Sequence, residues 1–286
     1  MIHFDGDALV YLAGFAADSR NGPFSHSAHN IKLMINKALN VTGEDEYRIF
    51  LTSKDPVINF RTEIYPEYKA NRKKTCKKCG STEISKESYV DRIKTDGGIM
   101  KRRFYNCLKC DNPVGDTKPV YYNKIRRFLV EQYGALVCQW GEADDWFAVR
   151  NPDWIATHDK DIYQVGDMSF YNLKSGQVLH TFGNTGKLYL DDKGHLKGHG
   201  FAWFCAQMIM GDKVDNIPKP WRGDGPKFIM KIFEPLKTMR EYWEMVKFYY
   251  HGTGCDDMLP INSQLLWVAR KKGQRGTIET IERFIG

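Results

Sequence analysis

No stretch of this 286-residue chain approaches the ~20 consecutive apolar residues that a membrane-spanning helix needs, so no membrane partner is expected. The opening residues, Met1-Ile2-His3-Phe4-Asp5-Gly6-Asp7, meet two carboxylates at once and offer neither a basic start nor an apolar run. That excludes a typical secretory leader and predicts an intracellular protein. Seven cysteines, an odd number, argue against a disulfide framework and for reduced thiols or metal ligands. Internal repeats and low-complexity tracts are absent. The eight histidines are scattered, and no Ser/His/Asp or Cys/His constellation for nucleophilic catalysis is apparent. What remains is an ordinary balance, 42% hydrophobic and 27% charged, enough to bury a real core.

The net charge of +7 is unevenly spread. Residues 73–118 hold twelve Lys/Arg against six Asp/Glu, so a locally basic module accounts for nearly all of the excess. Such a module on a balanced body is the electrostatic footprint of a polyanion binder, with a solvated basic loop as the alternative. Within it, Cys76-Lys77-Lys78-Cys79 and Cys107-Leu108-Lys109-Cys110 are two CxxC pairs, and Gly80 follows the first. This spacing predicts one structural Zn2+ held by four thiolates, a ribbon-type site with no open position for catalysis. Cys138, Cys205 and Cys255 are isolated and are expected to be buried, inert thiols.

Around the module, strands and helices alternate. Ile2–Phe4, Tyr47–Thr52, Ala135–Val137 and Trp154–Thr157 read as strands, and 8–17, 29–39, 121–133 and 142–149 as helices. This predicts an α/β fold with a parallel sheet flanked by helices. Residues 167–200 read as hairpins turning at Ser175-Gly176 and Asp192-Lys193-Gly194, and the chain from Phe201 as mostly helical. Acids then fall just past each strand: Asp5, Asp55, the group Glu142, Asp144 and Asp145, and the pair Asp159 and Asp161. Asp212 and Asp215 open the helical region. The carboxyl edge of a parallel sheet is where ligands bind, and so many carboxylates at one edge repel one another unless cations neutralise them. Oxygen donors without a histidine cluster select Mg2+ or Mn2+, and a pair of such ions activates water and stabilises the leaving oxygen in phosphodiester hydrolysis. The competing reading of any one of these acids is a helix N-cap.

With these residues the chain resembles the 5′-nuclease family of flap endonucleases, polymerase-linked 5′-nucleases and bacteriophage 5′-exonucleases. The matching pieces, in family order, begin with Phe4-Asp5-Gly6-Asp7, Asp55 through Phe60-Arg61, and Tyr65-Pro66-Glu67-Tyr68-Lys69-Ala70-Asn71-Arg72. They continue with Gly141-Glu142-Ala143-Asp144-Asp145, Asp159-Lys160-Asp161-Ile162-Tyr163-Gln164 and Gly211-Asp212-Lys213-Val214-Asp215-Asn216-Ile217-Pro218. The resemblance implies a PIN-like core over 1–72 and 119–200, the zinc ribbon (73–118) inserted at the arch position, and a helical duplex-binding region over 201–286. It implies two Mg2+ or Mn2+ held by Asp5, Asp55, Glu142, Asp144, Asp145, Asp159, Asp161, Asp212 and Asp215, with Asp55 one position off the usual spacing. Asp5, Glu142 and Asp144 would belong mainly to the first ion, and Asp159, Asp161 and Asp215 would lie nearer the second.

Lys69 and Arg72 match the family's basic patch beside the metals, and Tyr68 offers a face for a terminal base. Gly223-Asp224-Gly225-Pro226-Lys227 stands where the family's helix–loop–helix grips duplex DNA, with a K+ site nearby, although Lys219 replaces a usual glycine and Asp224 an apolar residue. Expected DNA contacts are Arg61, Arg102, Arg103, Gly223, Gly225 and Lys227. The implied activity is a two-metal 5′-nuclease, 5′–3′ exonuclease or flap endonuclease, acting on DNA 5′ ends, flaps or RNA–DNA hybrids; protein partners are not indicated. A non-catalytic nucleic-acid binder on a degenerate nuclease fold and a PIN-type ribonuclease are the alternatives.

Overall fold

The computed structural model of the chain describes residues 1–70, 76, 78–85, 88–93, 99–114, 118–150, 152–221 and 225–286. In chain order the elements are β1 (Ile2–Asp5), α1 (Gly6–Asp18), α2 (Phe24–Thr42), β2 (Tyr47–Leu51) and α3 (Phe60–Ile64). Next come β3 (Ser88–Ile93), β4 (Ile99–Asn106), β5 (Pro113–Val114), α4 (Tyr122–Tyr133), β6 (Leu136–Val137), α5 (Ala143–Phe147) and β7 (Trp154–Thr157). The chain continues through β8 (Ser169–Asn172), β9 (Val178–His180), β10 (Lys187–Leu190) and β11 (Leu196–His199). It finishes with α6 (Gly200–Met210), α7 (Pro226–Phe233), α8 (Met239–Gly252), α9 (Leu259–Leu266) and α10 (Ile278–Ile285).

The central sheet has the order β6-β2-β1-β7-β8-β9. Its first five strands run parallel, and β9 returns antiparallel to β8 through the turn at Gly176. The expected α/β architecture is therefore present, with one antiparallel edge strand that makes the sheet mixed. Because strand side chains alternate, each strand feeds both faces. Ile49 and Leu51 of β2, Ala156 of β7 and Tyr171 of β8 join the core under α1, α2 and α4. Phe50, Ile155 and Phe170 point to the opposite core, with Phe147 of α5 and Val268. A third core unites α6, α8 and α9 around Trp203, Phe204, Trp243 and Trp267. Helix α2 is longer than its apolar period predicted: Phe24 extends it at the start by packing on Tyr121 and Phe128, and left-handed Gly43 ends it.

Residues 187–199 form a separate hairpin, β10–β11, and β3-β4-β5 form a three-stranded antiparallel ribbon between Cys76 and Cys110 and just beyond. Among the described residues no helix is long and apolar enough to cross a membrane.

Candidate metal centre

The parallel register places the carboxyl ends of β6, β2, β1 and β7 side by side, so the residues that follow them share one edge. Asp5 ends β1 and caps α1: its carboxylate accepts from Ala8 N at 2.8 Å and from Thr157 Oγ1 at 2.8 Å. Burial, helped by the charges of Asp7 and Asp159, pushes its carboxyl up to about 7. Asp7 is turned to a different task, pairing with Arg126 and accepting from Thr52 N at 2.9 Å.

Glu142 caps α5, and left-handed Gly141 (φ 60°) makes the approach possible, since a Cβ there would meet Asp145 Oδ2 at 2.4 Å. Its side chain accepts from Asn59 Nδ2 at 2.9 Å, from Tyr68 OH at 3.2 Å and from Lys69 Nζ. In the first turn of α5, Asp144 has its carboxyl driven well above the ordinary range, first by desolvation and then by Asp159, Asp5, Glu142 and Asp145. After β7, Asp159 Oδ1 accepts from Asp161 N at 3.0 Å, and Asp161 accepts from Gln207 Nε2 of α6 at 2.6 Å. Burial and the charges of Asp159, Asp212 and Asp215, against the opposing effect of Lys160, raise Asp161 to about 8. Asp212 and Asp215 come from the turn after α6, where Asp212 Oδ1 accepts from Val214 N and Asp215 N, and the backbone closes on Ile217.

Glu142, Asp144, Asp159, Asp161, Asp212 and Asp215 thus line one cavity of about 50 Å3, together with Tyr68 and Lys69. Lys69 sits among the acids, bonded to Glu142 and 3.5 Å from Asp215. It holds a left-handed backbone (φ 60°), fixed by its own N–H donating to Asp215 O at 2.8 Å. A non-glycine residue in that region costs about 1–3 kcal/mol and persists where surrounding contacts over-determine it.

No family model and no curated protein matches this chain. Solved structures do, two from bacteriophage T5 among them. One is the T5 D15 protein co-crystallised with metal ions, 17% identical, covering 99% of this chain and 96% of that one, TM-score 0.55. The other is a variant of the T5 D15 flap endonuclease in a pseudo-enzyme–product complex with DNA and metal ions, 16% identical, with the same coverage and TM-score 0.58. The chain has the 5′-nuclease fold.

Within that fold several expected site residues stand elsewhere. Asp145 faces away from the cavity: its oxygens accept from Arg61 Nη1 (2.6 Å) and Nη2 (3.0 Å), Glu142 N (3.0 Å) and Ala269 N (3.1 Å). Arg61, expected on DNA, is 3% exposed and also donates to the carbonyls of Leu265 and Trp267, so it is an internal strut and not a DNA contact. Asp55 is exposed and caps the short helical turn Pro56–Ile58, accepting from Val57 N at 3.0 Å. The cap competitor explains it better than metal ligation does. Tyr68 offers no stacking face; only 6% of it is exposed, and its hydroxyl reaches Glu142 and Asp215. Gly225 caps α7, with Lys227 exposed in its first turn and outside the cavity lining. Arg72 and Gly223 lie outside the described residues, as do the side chains of Arg102 and Arg103, whose backbone belongs to β4.

Sequence reasoning missed Asn59 and Gln207, which orient Glu142 and Asp161, and the segment Leu265–Val268 that walls the cavity. No spacing signal ties these residues to acids that are distant in the chain.

The ribbon holds a second donor set. The thiols of Cys76, Cys79, Cys107 and Cys110 all lie within 4.8 Å of one another, with Cys76–Cys110 and Cys79–Cys107 at 3.5 Å. Both CxxC turns have the same construction. Gly80 N donates to Cys76 O and Asp111 N to Cys107 O, each at 2.8 Å, and Gly80 (φ 73°) and Asp111 (φ 53°) are both left-handed. Backbone N–H groups, that of Cys79 foremost, draw the Cys76 thiol down to about 6. Four converging thiols on two such knuckles suit a tetrahedral thiolate site. The acids differ: they line the walls of a cleft, and among the described residues only the four cysteines bring three or more donors that close together. Cys138 and Cys205 are buried as expected, whereas Cys255 is half-buried with its Sγ 3.2 Å from Pro220 O.

Proposed function

We propose that this chain is a metal-dependent 5′-nuclease, an intracellular 5′–3′ exonuclease or flap endonuclease that hydrolyses phosphodiester bonds of DNA at 5′ ends, flaps or RNA–DNA hybrids. The observation that carries this reading is the shared cavity of Glu142, Asp144, Asp159, Asp161, Asp212 and Asp215, delivered by three separated segments. The donor set is all oxygen and strongly self-repelling, with Asp144 and Asp161 held protonated to unusually high pH, and it fits hard divalent cations. Glu142 and Asp144, with Asp5 behind them, would hold one Mg2+ or Mn2+, and Asp159, Asp161, Asp212 and Asp215 the other. When bound, such a pair supplies an activated water and charge stabilisation for the leaving 3′ oxygen.

The chain's own residues do the rest. Asn59 and Gln207 hold Glu142 and Asp161 in place, Tyr68 joins the two sides of the cleft, and Leu265, Leu266 and Val268 exclude water from its wall. Lys69, already drawn into the cleft by the acids, is the cation that meets the scissile phosphate, with Arg72 three residues on as its expected companion. The four thiols of the ribbon would hold one structural Zn2+, and the basic ribbon would engage the 5′ strand or the duplex.

End-labelled 5′-flap and blunt duplexes incubated with Mg2+, with and without excess EDTA, test the reading. Cleavage that needs the ion and is lost in Asp144→Asn and Asp161→Asn is expected. Tight binding with no cleavage points instead to a non-catalytic binder, and faster cleavage of RNA than of DNA to a ribonuclease.

A further inference from the structure

The cleft is negative, and so is any nucleic acid. A polyanion brought to such a mouth needs positive surface beside it, because the acids repel its phosphates at short range. The chain between α9 and α10 supplies that surface. Between Asp257 and Glu279 there is no acid, while Arg270, Lys271, Lys272 and Arg275 fall within six residues.

The stretch leading into this turn is stitched to the metal centre at successive positions. Arg61 donates to Leu265 O and Trp267 O, Gln164 Nε2 donates to Leu266 O at 2.8 Å, Val268 N donates to Gln164 Oε1 at 2.9 Å, and Ala269 N reaches Asp145. The turn itself is fixed at both ends. Gln274 Oε1 accepts from Arg270 N at 2.8 Å, and Arg275 lies over the Phe60 ring and pairs with Glu63 at 3.2 Å, fastening the turn to α3. Helix α3 leads directly into Tyr68 and Lys69. Under the turn, the Arg270 guanidinium is wedged between the rings of Trp267 and Phe284, 4.5 and 4.7 Å from their centroids. Its Nε and Nη1 are sealed from solvent and have no hydrogen-bond partner. Burial lowers it to about 9, so it stays charged at neutral pH without an acid to cancel it. Lys271 and Lys272 are exposed and make no ion pair among the described residues.

We propose that the turn Arg270–Arg275 is a phosphate-binding surface that holds the backbone of duplex DNA beside the acid-lined cleft; it rests on the nuclease reading of that cleft. Lys271 and Lys272 contact phosphates, and Arg270 and Arg275 set the turn's position and field. The chemistry is sequence-independent, so its signature is salt dependence.

The test is binding of a fluorescein-labelled 5′-flap duplex to the full zinc-loaded chain, without added divalent ion, from 50 to 200 mM salt. K271A/K272A should flatten the plot of log affinity against log salt by about 1.8, two contacts at about 0.9 each. Over that fourfold rise in salt the wild type then loses about tenfold more affinity than the variant. K32A/K37A removes the same charge from the exposed face of α2 and should leave the slope unchanged. Equal slopes for wild type and K271A/K272A, or equal losses in both double variants, overturn the proposal. Cleavage in Mg2+ is scored separately. A wild type that binds steeply but does not cut removes the nuclease reading and leaves the phosphate surface, and one that cuts with the slope unmoved in K271A/K272A does the reverse.

Discussion

Asp144 and Asp145 are neighbours with opposite consequences, and replacing each separates a proposed metal ligand from a strut. Asp145→Ala leaves the Arg61 guanidinium, 3% exposed, facing two carbonyls and no counter-ion, and strips an acceptor from Glu142 N and Ala269 N. Breaking one partner of a buried charge pair costs about 3–5 kcal/mol. A chain of this size melting as one unit has an unfolding entropy of roughly 0.6 kcal/mol per degree, so the melting temperature should fall by about 5–8 °C. The double variant Arg61→Met/Asp145→Leu removes both charges together and should recover much of that loss. Asp144→Asn does the opposite: it removes a carboxylate that is repelled by Asp159, Asp5 and Glu142, so the metal-free protein should melt higher while cleavage disappears. Calorimetry of metal-free proteins, paired with flap cleavage in Mg2+, reads both effects. An Asp145→Ala protein that melts within about 1 °C of wild type yet no longer cleaves would make Asp145 a ligand and refute the assignment.

Because burial and neighbouring acids raise Asp5 to about 7, Asp161 to about 8 and Asp144 well above the ordinary carboxyl range, while unfolded carboxyls lose their protons at about pH 4, the native metal-free chain binds more protons across that window. Its stability therefore falls as pH rises from about 4 to 8, and Mg2+ should raise the melting temperature more at pH 8 than at pH 5; an unchanged or reversed slope contradicts this. Lys69→Ala should cut the cleavage rate by about 100- to 1000-fold, as does removing a donor aimed at developing charge, and single-turnover kinetics measure it. Cys107→Ser/Cys110→Ser should lose one equivalent of zinc by metal analysis and weaken cleavage more at moderate than at low salt, and unchanged activity at both would mean the ribbon does not touch substrate. Asp55→Ala should leave cleavage within about twofold of wild type, since its carboxylate caps Pro56–Ile58.

The sheet was legible because its signals are local. Short apolar runs in β2 and β7, and acids at the strand ends or within eight residues past them, need no knowledge of distant partners. The misplacements have local signals too, outweighed by the motif reading. Asp55 precedes Pro56, a capping residue before a proline at the first helical position. Glu142 and Asp145 stand three apart, which suits a reciprocal capping box as well as a shared ligand face, and both bonds of that box are present. Arg61 could not have been read this way. Its partners are Asp145 and the carbonyls of Leu265 and Trp267, 84 and more than 200 residues away, and no periodicity encodes such a contact.

That long-range contact explains how a cleft of mutually repelling acids stays shaped. Lys69 can neutralise only part of the charge, and protons on Asp144 and Asp161 relieve more of it below neutral pH. Neither fixes the positions of the carboxylates. Position comes from neutral donors and from the strut: Thr157 on Asp5, Asn59 on Glu142, Gln207 on Asp161, and behind them Arg61–Asp145 tying α3, α5 and the chain after α9 together. Glu142 and Asp161 are thus each held by a neutral amide that does not cancel the charge, and Asp159 and Asp212 by backbone N–H groups. Beyond Lys69, a further acid–base strut inside the cleft would compete with cations for the same acids, so it makes physical sense that the buried Arg61 ion pair lies one residue to the rear, on Asp145 and not on Asp144.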